Sequence, residues 1–544
     1  MELPGRSASL EAAKPDAPAA CDGLASWLLR SAETRIVAVI ALSAAAIRIY
    51  LAITSYCIAA DGIAYIAMAR EFRAGRLDDA LAWVFSPLYP WLIAAFYPVL
   101  GDWERAGELL SVILGTAGVV LLYYLMREVY GRRIVAAGAA ALAAIHPMLA
   151  GFSAAVRTEA GYVALVTAAT LLMVRGTNRK SLARIAASGV LCGLAYLYRT
   201  EGVGVPVLFA VVLVAGAWPW REWTPRWSLG AAALMLAMFL LIAAPYLVWM
   251  RSYTGHWTVG RELGVVTMEA TGSTTGELAK WRAMGYRPAT SWLTALELAP
   301  AAYARKVARD FFGSCYAMVQ ALGPVLAAAF VVGLWVEGRA TVRQWARALL
   351  ALLVAMYFAG FVLTDTGPRL MSHLVPFTLG WAAIGIEEAA IRLRGLGSRV
   401  NSRLARAAGP AIVVVVGLSL LPRTLFPLGY DQRGLRYAGG EIAALERRNG
   451  KRTVAGTDPR VAFYADGEFI PIPPRPAADD EDICRWLAAH PGADYLMIDD
   501  RTERRWGGVG GNDPCLRLVK RYPRVGKTYY DLFAVRSWGA TGAR

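Results

Sequence analysis

Long apolar runs separated by short polar connections set the pattern of this sequence from residue 35 to residue 424. They fall at roughly 35–54, 106–126, 134–151, 159–174, 182–198, 202–217, 228–249, 316–336, 344–364, 371–390 and 409–424. A helix needs about 20 apolar residues to cross the hydrocarbon of a bilayer. The pattern therefore predicts a polytopic α-helical membrane protein with about eleven transmembrane helices. Beyond residue 424 no spanning run follows. Strand-like pieces at 452–455, 495–498 and 529–535 alternate with helix-like ones at 441–448 and 482–489. That change predicts a small α/β domain over 425–544. Residues 1–34 mix Pro, Ala, Ser and both signs of charge and read as a flexible tail. They lack a short signal-peptide core with a small-residue cleavage site, and the apolar run at about 35–54 reads as a retained signal anchor.

Composition agrees with the pattern. The 544 residues are 57% hydrophobic and 18% charged, against roughly 25% charged in soluble domains. Mean hydropathy is +0.41. The formal charge of +16 comes largely from Arg in the connections, which argues for membrane topology rather than nucleic-acid binding. One set of connections holds seventeen Arg and Lys residues, among them Arg132, Arg179 and Arg392; the short connections of the other set hold Arg157, Arg199 and Arg369. The positive-inside rule then puts the N-terminus in the cytoplasm. An odd span count makes the C-terminal domain extracytoplasmic. Cys484 and Cys515 share that domain and are able to pair if it lies outside the cytoplasm; no CxxC pair points to a zinc site.

Two outer loops are long. Residues 55–105 hold Asp61 and a Pro-aromatic passage, Ser86-Pro87-Leu88-Tyr89-Pro90-Trp91, and their helix-like pieces suit amphipathic helices lying in the membrane interface. Residues 250–315 carry Trp257, Arg261, Glu262, Glu269, Glu277, Trp281 and Tyr303. With this topology the ionisable residues of the spans collect on the outer rim: Asp61, Arg157 and Glu159, Arg199 and Glu201, and Asp365, Arg369 and His373, with His146-Pro147 nearby. Each has a plain alternative reading. Asp61 precedes a helix-like pattern and fits a helix cap; Glu159 and Glu201 fit helix dipoles; Arg199 fits a snorkelling side chain; and Arg369 and His373, four residues apart, share a helix face that suits an interfacial anchor. Together, carboxylates and cations on one rim point to an outward-facing cavity. There a carboxylate acts as general base on a hydroxyl, and arginines hold a phosphate leaving group. No P-loop pattern supplies a nucleotide site.

The sequence resembles the GT-C superfamily of polytopic glycosyltransferases that use lipid-phosphate sugars. The similarity is to bacterial enzymes of the protein O-mannosyltransferase and aminoarabinose (lipid A) transferase type and to the rhizobial galacturonosyltransferase group. It rests on Asp61-Gly62-Ile63-Ala64-Tyr65, Ser86-Pro87-Leu88-Tyr89-Pro90, Arg157-Thr158-Glu159, Gly193 to Gly202 and Arg369 to Pro376. The resemblance implies inverting transfer from a polyprenyl-phosphate sugar to a hydroxyl of a glycan, lipid or protein, on the outer face of a bacterial inner membrane. It implies Asp61 as catalytic base and Glu159 as the second acid. Arg199 and Arg369 become the cations at the donor phosphate, with Tyr65, Arg157, Glu201 and His373 as further substrate-binding candidates. Many relatives have Asp-Glu where this chain has Asp61-Gly62, and Ser86 stands where His or Pro is common. The sequence commits to no cofactor; a divalent metal is possible, with Asp61, Glu159, His146 and His373 as candidate hard-ion ligands. The alternative function is a transporter or flippase of a lipid-linked sugar, which would place its ionisable groups near the bilayer midplane. The middles of the spans are instead mostly Ala, Leu, Val and Gly.

Overall fold

The computed structural model describes residues 32–216, 223–260, 300–400, 402–445, 452–473, 476, 482–509, 513–524 and 528–536. Most of the expected tail, and Arg261, Glu262, Glu269, Glu277 and Trp281 of the second loop, lie outside the described residues.

Every predicted apolar run is helical. Helix α1 covers Ala32–Ile53. The first loop folds into α2 (Ala60–Arg73), α3 (Leu77–Leu81) and α4 (Leu88–Leu100). Then follow α5 (Trp103–Tyr130), α6 (Arg133–Ile145), α7 (Pro147–Phe152), α8 (Glu159–Asn178) and α9 (Leu182–Tyr198). A 3-10 turn, Thr200–Val203, leads into α10 (Gly204–Gly216), and α11 covers Pro225–Thr254. The second half holds α12 (Pro300–Leu322), α13 (Pro324–Arg343), α14 (Trp345–Leu363), α15 (Pro368–Met371), α16 (Val375–Val400) and α17 (Ser402–Thr424).

Among the described residues α1, α5, α8, α11 and α14 are long and apolar enough to cross a membrane, and a sixth span results if the bent pair α12–α13 is one. This is a multi-pass membrane protein; the other runs form shorter or more polar helices. The expected run 316–336 is not one straight helix. Its two halves meet at 106° around Gly323, which adopts φ +78. Glycine accepts that left-handed geometry without a Cβ clash, and Pro324 has no N–H to continue the ladder. A second break corrects the shared face expected for Arg369 and His373. Helix α15 ends at Met371, and α16 starts only at Val375, with Pro376 in its first turn. His373 therefore lies in the break.

Small residues let helices touch by their backbones. A Cβ on Gly333 of α13 would lie 1.8 Å from the Trp381 carbonyl oxygen, and one on Gly385 of α16 would lie 1.9 Å from that of Ala329. Such small-residue contacts replace the hydrophobic driving force that lipid-embedded helices lack. Arg48, in the first span, is 1% exposed. It donates to the carbonyls of Ala144 at 3.3 Å and Ala143 at 3.5 Å. Those are carbonyls at the end of α6, where the helix stops before Pro147 and has no further N–H to offer them.

Beyond α17 the C-terminal domain opens with α18 (Arg433–Ala444) and builds a five-stranded mixed sheet. Its strands are β1 (Thr453–Gly456), β2 (Glu468–Pro471), β3 (Tyr495–Asp499), β4 (Leu516–Pro523) and β5 (Tyr529–Val535), in the order β2-β1-β3-β5-β4. Strands β2, β1 and β3 run parallel, and β5 is antiparallel to both β3 and β4. Helices α19 (Arg460–Tyr464), α20 (Ile483–Ala489) and α21 (Asp500–Arg505) connect them. The three expected strands are β1, β3 and β5. The edge strands β2 and β4 were not expected: β2 is four residues long, and β4 exposes most of its side chains, so neither shows apolar alternation. The helix expected at 441–448 starts earlier, at Arg433.

Cys484 and Cys515 form a disulfide that joins α20 to the start of β4 across 31 residues. A loop of that length is worth about 3–4 kcal/mol when closed covalently. Reduction is expected to lower the denaturant midpoint of the C-terminal domain, read by limited proteolysis across a urea series, and to leave the helical part as resistant as before.

Candidate active site

The site is built from four helix ends at one end of the bundle. Asp61 is the second residue of α2, whose N-cap is Ala59 and which has no side-chain cap bond. The capping expectation is thereby corrected. A capping carboxylate must sit one residue before the helix to reach its free N–H groups, whereas Asp61 is already inside and its side chain turns away. It meets Arg369, with Nη1 at 2.6 Å from Asp61 Oδ2. The Nε of the same guanidinium bonds Glu159 Oε1. Glu159 is the first residue of α8 and 2% exposed, whereas Asp61 and Arg369 keep about a third of their side chains open.

Further cations surround this bridge. Arg157 Nη1 lies 3.6 Å from Glu159 Oε1, and its guanidinium stands 5.2 Å from the Phe152 ring centroid. Arg199, where α9 passes into the 3-10 turn, donates to Thr158 Oγ1 at 2.9 Å and to Glu201 Oε1 at 2.7 Å. Thr158 directly precedes Glu159, so the Arg199–Glu201 pair is joined to the first cluster. Arg157, Arg199 and Arg369 all act electrostatically on Glu159.

His373 is 1% exposed and packs edge-on to Tyr162, with ring centroids 5.3 Å apart. Among the described residues neither of its ring nitrogens has a hydrogen-bond partner, and neither do Glu159 Oε2 and Glu201 Oε2. Buried polar atoms are nearly always satisfied, so such orphans call for a ligand or water.

An aromatic wall backs the charges. Tyr65, on α2, packs against Phe85 at 5.0 Å and Tyr89 at 5.4 Å, and Tyr89 against Tyr198 at 5.5 Å. The Tyr89 hydroxyl lies 2.9 Å from that of Ser111, which donates to the Arg157 carbonyl at 3.3 Å. Gly161 is required beside it: a Cβ there would lie 2.3 Å from the Tyr198 hydroxyl. Tyr89 is fully buried rather than lying at an interface, whereas Trp91, Val99 and Leu100 on the same helix are exposed. His146 stands apart in role, since its Nδ1 caps α7 by accepting from Leu149 N at 3.4 Å. Among the described residues no three His, Cys, Asp or Glu side chains gather as a metal site.

Sequence reasoning missed Arg48, although a lone Arg inside an apolar run was a visible signal. It also missed the acidic start of α5, where Arg105 bonds Glu108 at 2.8 Å and the Ala52 carbonyl at 3.1 Å. Nothing local marks that cluster.

Residues 85–249 match the family described as dolichyl-phosphate-mannose-protein mannosyltransferase. No curated protein sequence matches the chain. Among solved structures, the oligosaccharyltransferase of Archaeoglobus fulgidus with Zn and sulfate is similar at TM-score 0.59 and 14% identity, over 91% of this chain and 72% of that one. ArnT from Cupriavidus metallidurans bound to undecaprenyl phosphate is similar at TM-score 0.53 and 15% identity, over 94% of this chain and 98% of that one. In fold, and over residues 85–249, the chain is similar to polytopic membrane glycosyltransferases of the GT-C type. The resemblance read from the sequence is borne out at that level, and the matched segment holds Arg157, Glu159, Arg199 and Glu201.

Arg369 is the hub of this arrangement; removing it strands the enclosed Glu159 carboxylate, at a cost that the partial exposure of Arg369 brings below the ~3–5 kcal/mol of a fully buried pair. Arg369→Ala is expected to lower the thermal midpoint of the detergent-purified protein. Adding Glu159→Gln should recover part of that loss, because the stranded charge is then gone.

Proposed function

We propose that the protein is an inverting glycosyltransferase. It moves a sugar from a polyprenyl-phosphate donor to a hydroxyl acceptor at the outer face of a bacterial cytoplasmic membrane, with Asp61 as general base. The observation that carries this reading is the single guanidinium of Arg369 shared between Asp61 and Glu159. A phosphate competes with carboxylates for the same planar donor fork. Donor binding therefore draws Arg369 toward the phosphate and leaves Asp61 free to take a proton.

In the transfer step the acceptor oxygen attacks the anomeric carbon from the face opposite the phosphate, as Asp61 removes the hydroxyl proton. The bond between that carbon and the phosphate oxygen breaks, and the polyprenyl phosphate leaves with the electron pair. Arg369 and Arg199 stabilise the charge that gathers on the leaving phosphate. The orphaned oxygens of Glu159 and Glu201 and the nitrogens of His373 suit the hydroxyls of a bound sugar. Tyr65 and the aromatic wall give the donor an apolar side. The disulfide of the C-terminal domain supports an oxidising, extracytoplasmic location for it. The positive-inside bias supports a cytoplasmic N-terminus.

Purified protein in proteoliposomes, given a panel of polyprenyl-phosphate sugars with candidate acceptors, is expected to consume one donor. Asp61→Asn should lower kcat by about 10²–10⁴-fold, the range of a lost general base, while the protein stays folded, because Arg369 keeps its bond to Glu159. Full activity in Asp61→Asn would remove Asp61 as the base. Movement of a lipid-linked sugar across the bilayer without its consumption would favour transport.

A further inference from the structure

The backbone just before Asp61 is held from outside the helix bundle. Ile58, three residues ahead of Asp61, donates its backbone N–H to the Tyr464 hydroxyl at 2.7 Å. The same hydroxyl donates to Glu104 Oε1 at 3.1 Å. Tyr464 belongs to α19 of the C-terminal domain and Glu104 to the first turn of α5. One hydroxyl thus joins Ile58 and Glu104 to a segment 406 and 360 residues further along the chain, using both its donor and its acceptor capacity.

Tyr464 is itself fixed. A Cβ on Gly439 of α18 would lie 2.5 Å from the Tyr464 Cβ, so the two helices are in close contact. The Arg436 guanidinium stands 4.9 Å from the Tyr464 ring centroid, and its Nη1 lies 3.6 Å from Glu104 Oε1. The residues beside Ile58 are held from the same side. Tyr56 N–H donates to the Leu428 carbonyl at 2.9 Å. Gly429, at φ +66, comes so near Cys57 that a Cβ there would lie 3.0 Å from it.

This support reaches Asp61 because α2 has no cap of its own. The Ile58 side chain bears on Gly62, the residue after Asp61, where a Cβ would meet it at 2.9 Å. The first turn of α2 is therefore located by Ile58 on one side and by the Arg369 bridge on the other.

We propose that Tyr464 is a positioning residue for the transfer reaction, so that the C-terminal domain completes the active site by fixing the backbone that aims Asp61. The proposal rests on the reading of Asp61 as the base. Removing the hydroxyl leaves ring packing intact but frees Ile58 and leaves Glu104 without its donor. Small displacements of a reacting group cost up to about 10²-fold in rate.

The test uses the full-length protein and the donor that the panel identifies. Tyr464→Phe is expected to lower kcat by about 10- to 100-fold while the KM for the donor stays within about twofold, since a group that acts only in the transition state leaves ground-state binding alone. A second readout does not depend on turnover. Cys57 is buried, and burial pushes its thiol up to about 12. In a Cys21→Ser, Cys192→Ala, Cys315→Ser background, which leaves Cys57 as the one free thiol beside the disulfide, maleimide should label it slowly in the otherwise native protein and faster in Tyr464→Phe. If Tyr464→Phe does not fold, Glu104→Gln serves instead. Its amide oxygen still accepts from Tyr464 but loses the Arg436 charge pair, and a smaller fall in kcat at constant KM is expected. Native kcat and native labelling in Tyr464→Phe, or a rise in donor KM alone, overturns the proposal. Native kcat in Asp61→Asn overturns the base assignment instead, so the two failures are told apart.

Discussion

One guanidinium shared by two carboxylates holds the candidate site together. Arg369 comes from a four-residue helix between α14 and α16, Asp61 from the first loop, and Glu159 from the start of α8. No two of these segments are neighbours in sequence. A carboxylate as enclosed as that of Glu159 is tolerable in a membrane protein only when cations surround it, and Arg369, Arg157 and Arg199 all do so. The bridge is therefore a structural joint as well as a chemical one. It ties the first loop, through the start of α2, to the starts of α8 and α15.

The two layers of the molecule divide the labour. The bundle supplies close backbone contacts, such as those at Gly333 and Gly385, which set the helix ends at fixed separations. The C-terminal sheet, stapled by its own disulfide, supplies a rigid platform that reaches the bundle through Tyr464 and Leu428. Between them lies a cavity of about 420 Å³, lined in part by Ala59, Ala60, Arg157, Gln432 and Arg460. The residues that lead into Asp61 thus face both layers.

Much of this was legible in the sequence, for a definite reason. Apolar run lengths report helices directly, and the excess of Arg on alternate connections sorted Asp61, Glu159, Arg199 and Arg369 onto one rim before any geometry was known. Sorting by side of the membrane does not show which charges touch. The Asp61–Arg369 pair closes across some three hundred residues, and nothing local encodes it. Local rules also misread Asp61 as a cap, because the helix begins at Ala60, two residues earlier than a cap at Asp61 would have it. The breaks at Gly323 and ahead of Val375 depend on single Gly and Pro positions, which a window of about 20 residues averages away. The polar edge strands β2 and β4 gave no periodic signal, and Tyr464 looked like any tyrosine of a small domain.

Gly62 carries a consequence for how this chain is able to change. Its Cα faces Ile58 on one side and Val156 on the other, with room for hydrogen but not for a methyl group. Val156 also wedges against Gly107 of α5, so the three positions form one packed unit. An acidic residue beside Asp61, as the Asp-Glu pattern of many relatives has it, is barred by volume rather than by charge. Acquiring it would require the Ile58 side chain to move aside and Val156 to give by a few tenths of an ångström. The shape of these neighbours thus sets a steric cost on a second acid in the turn that holds Asp61.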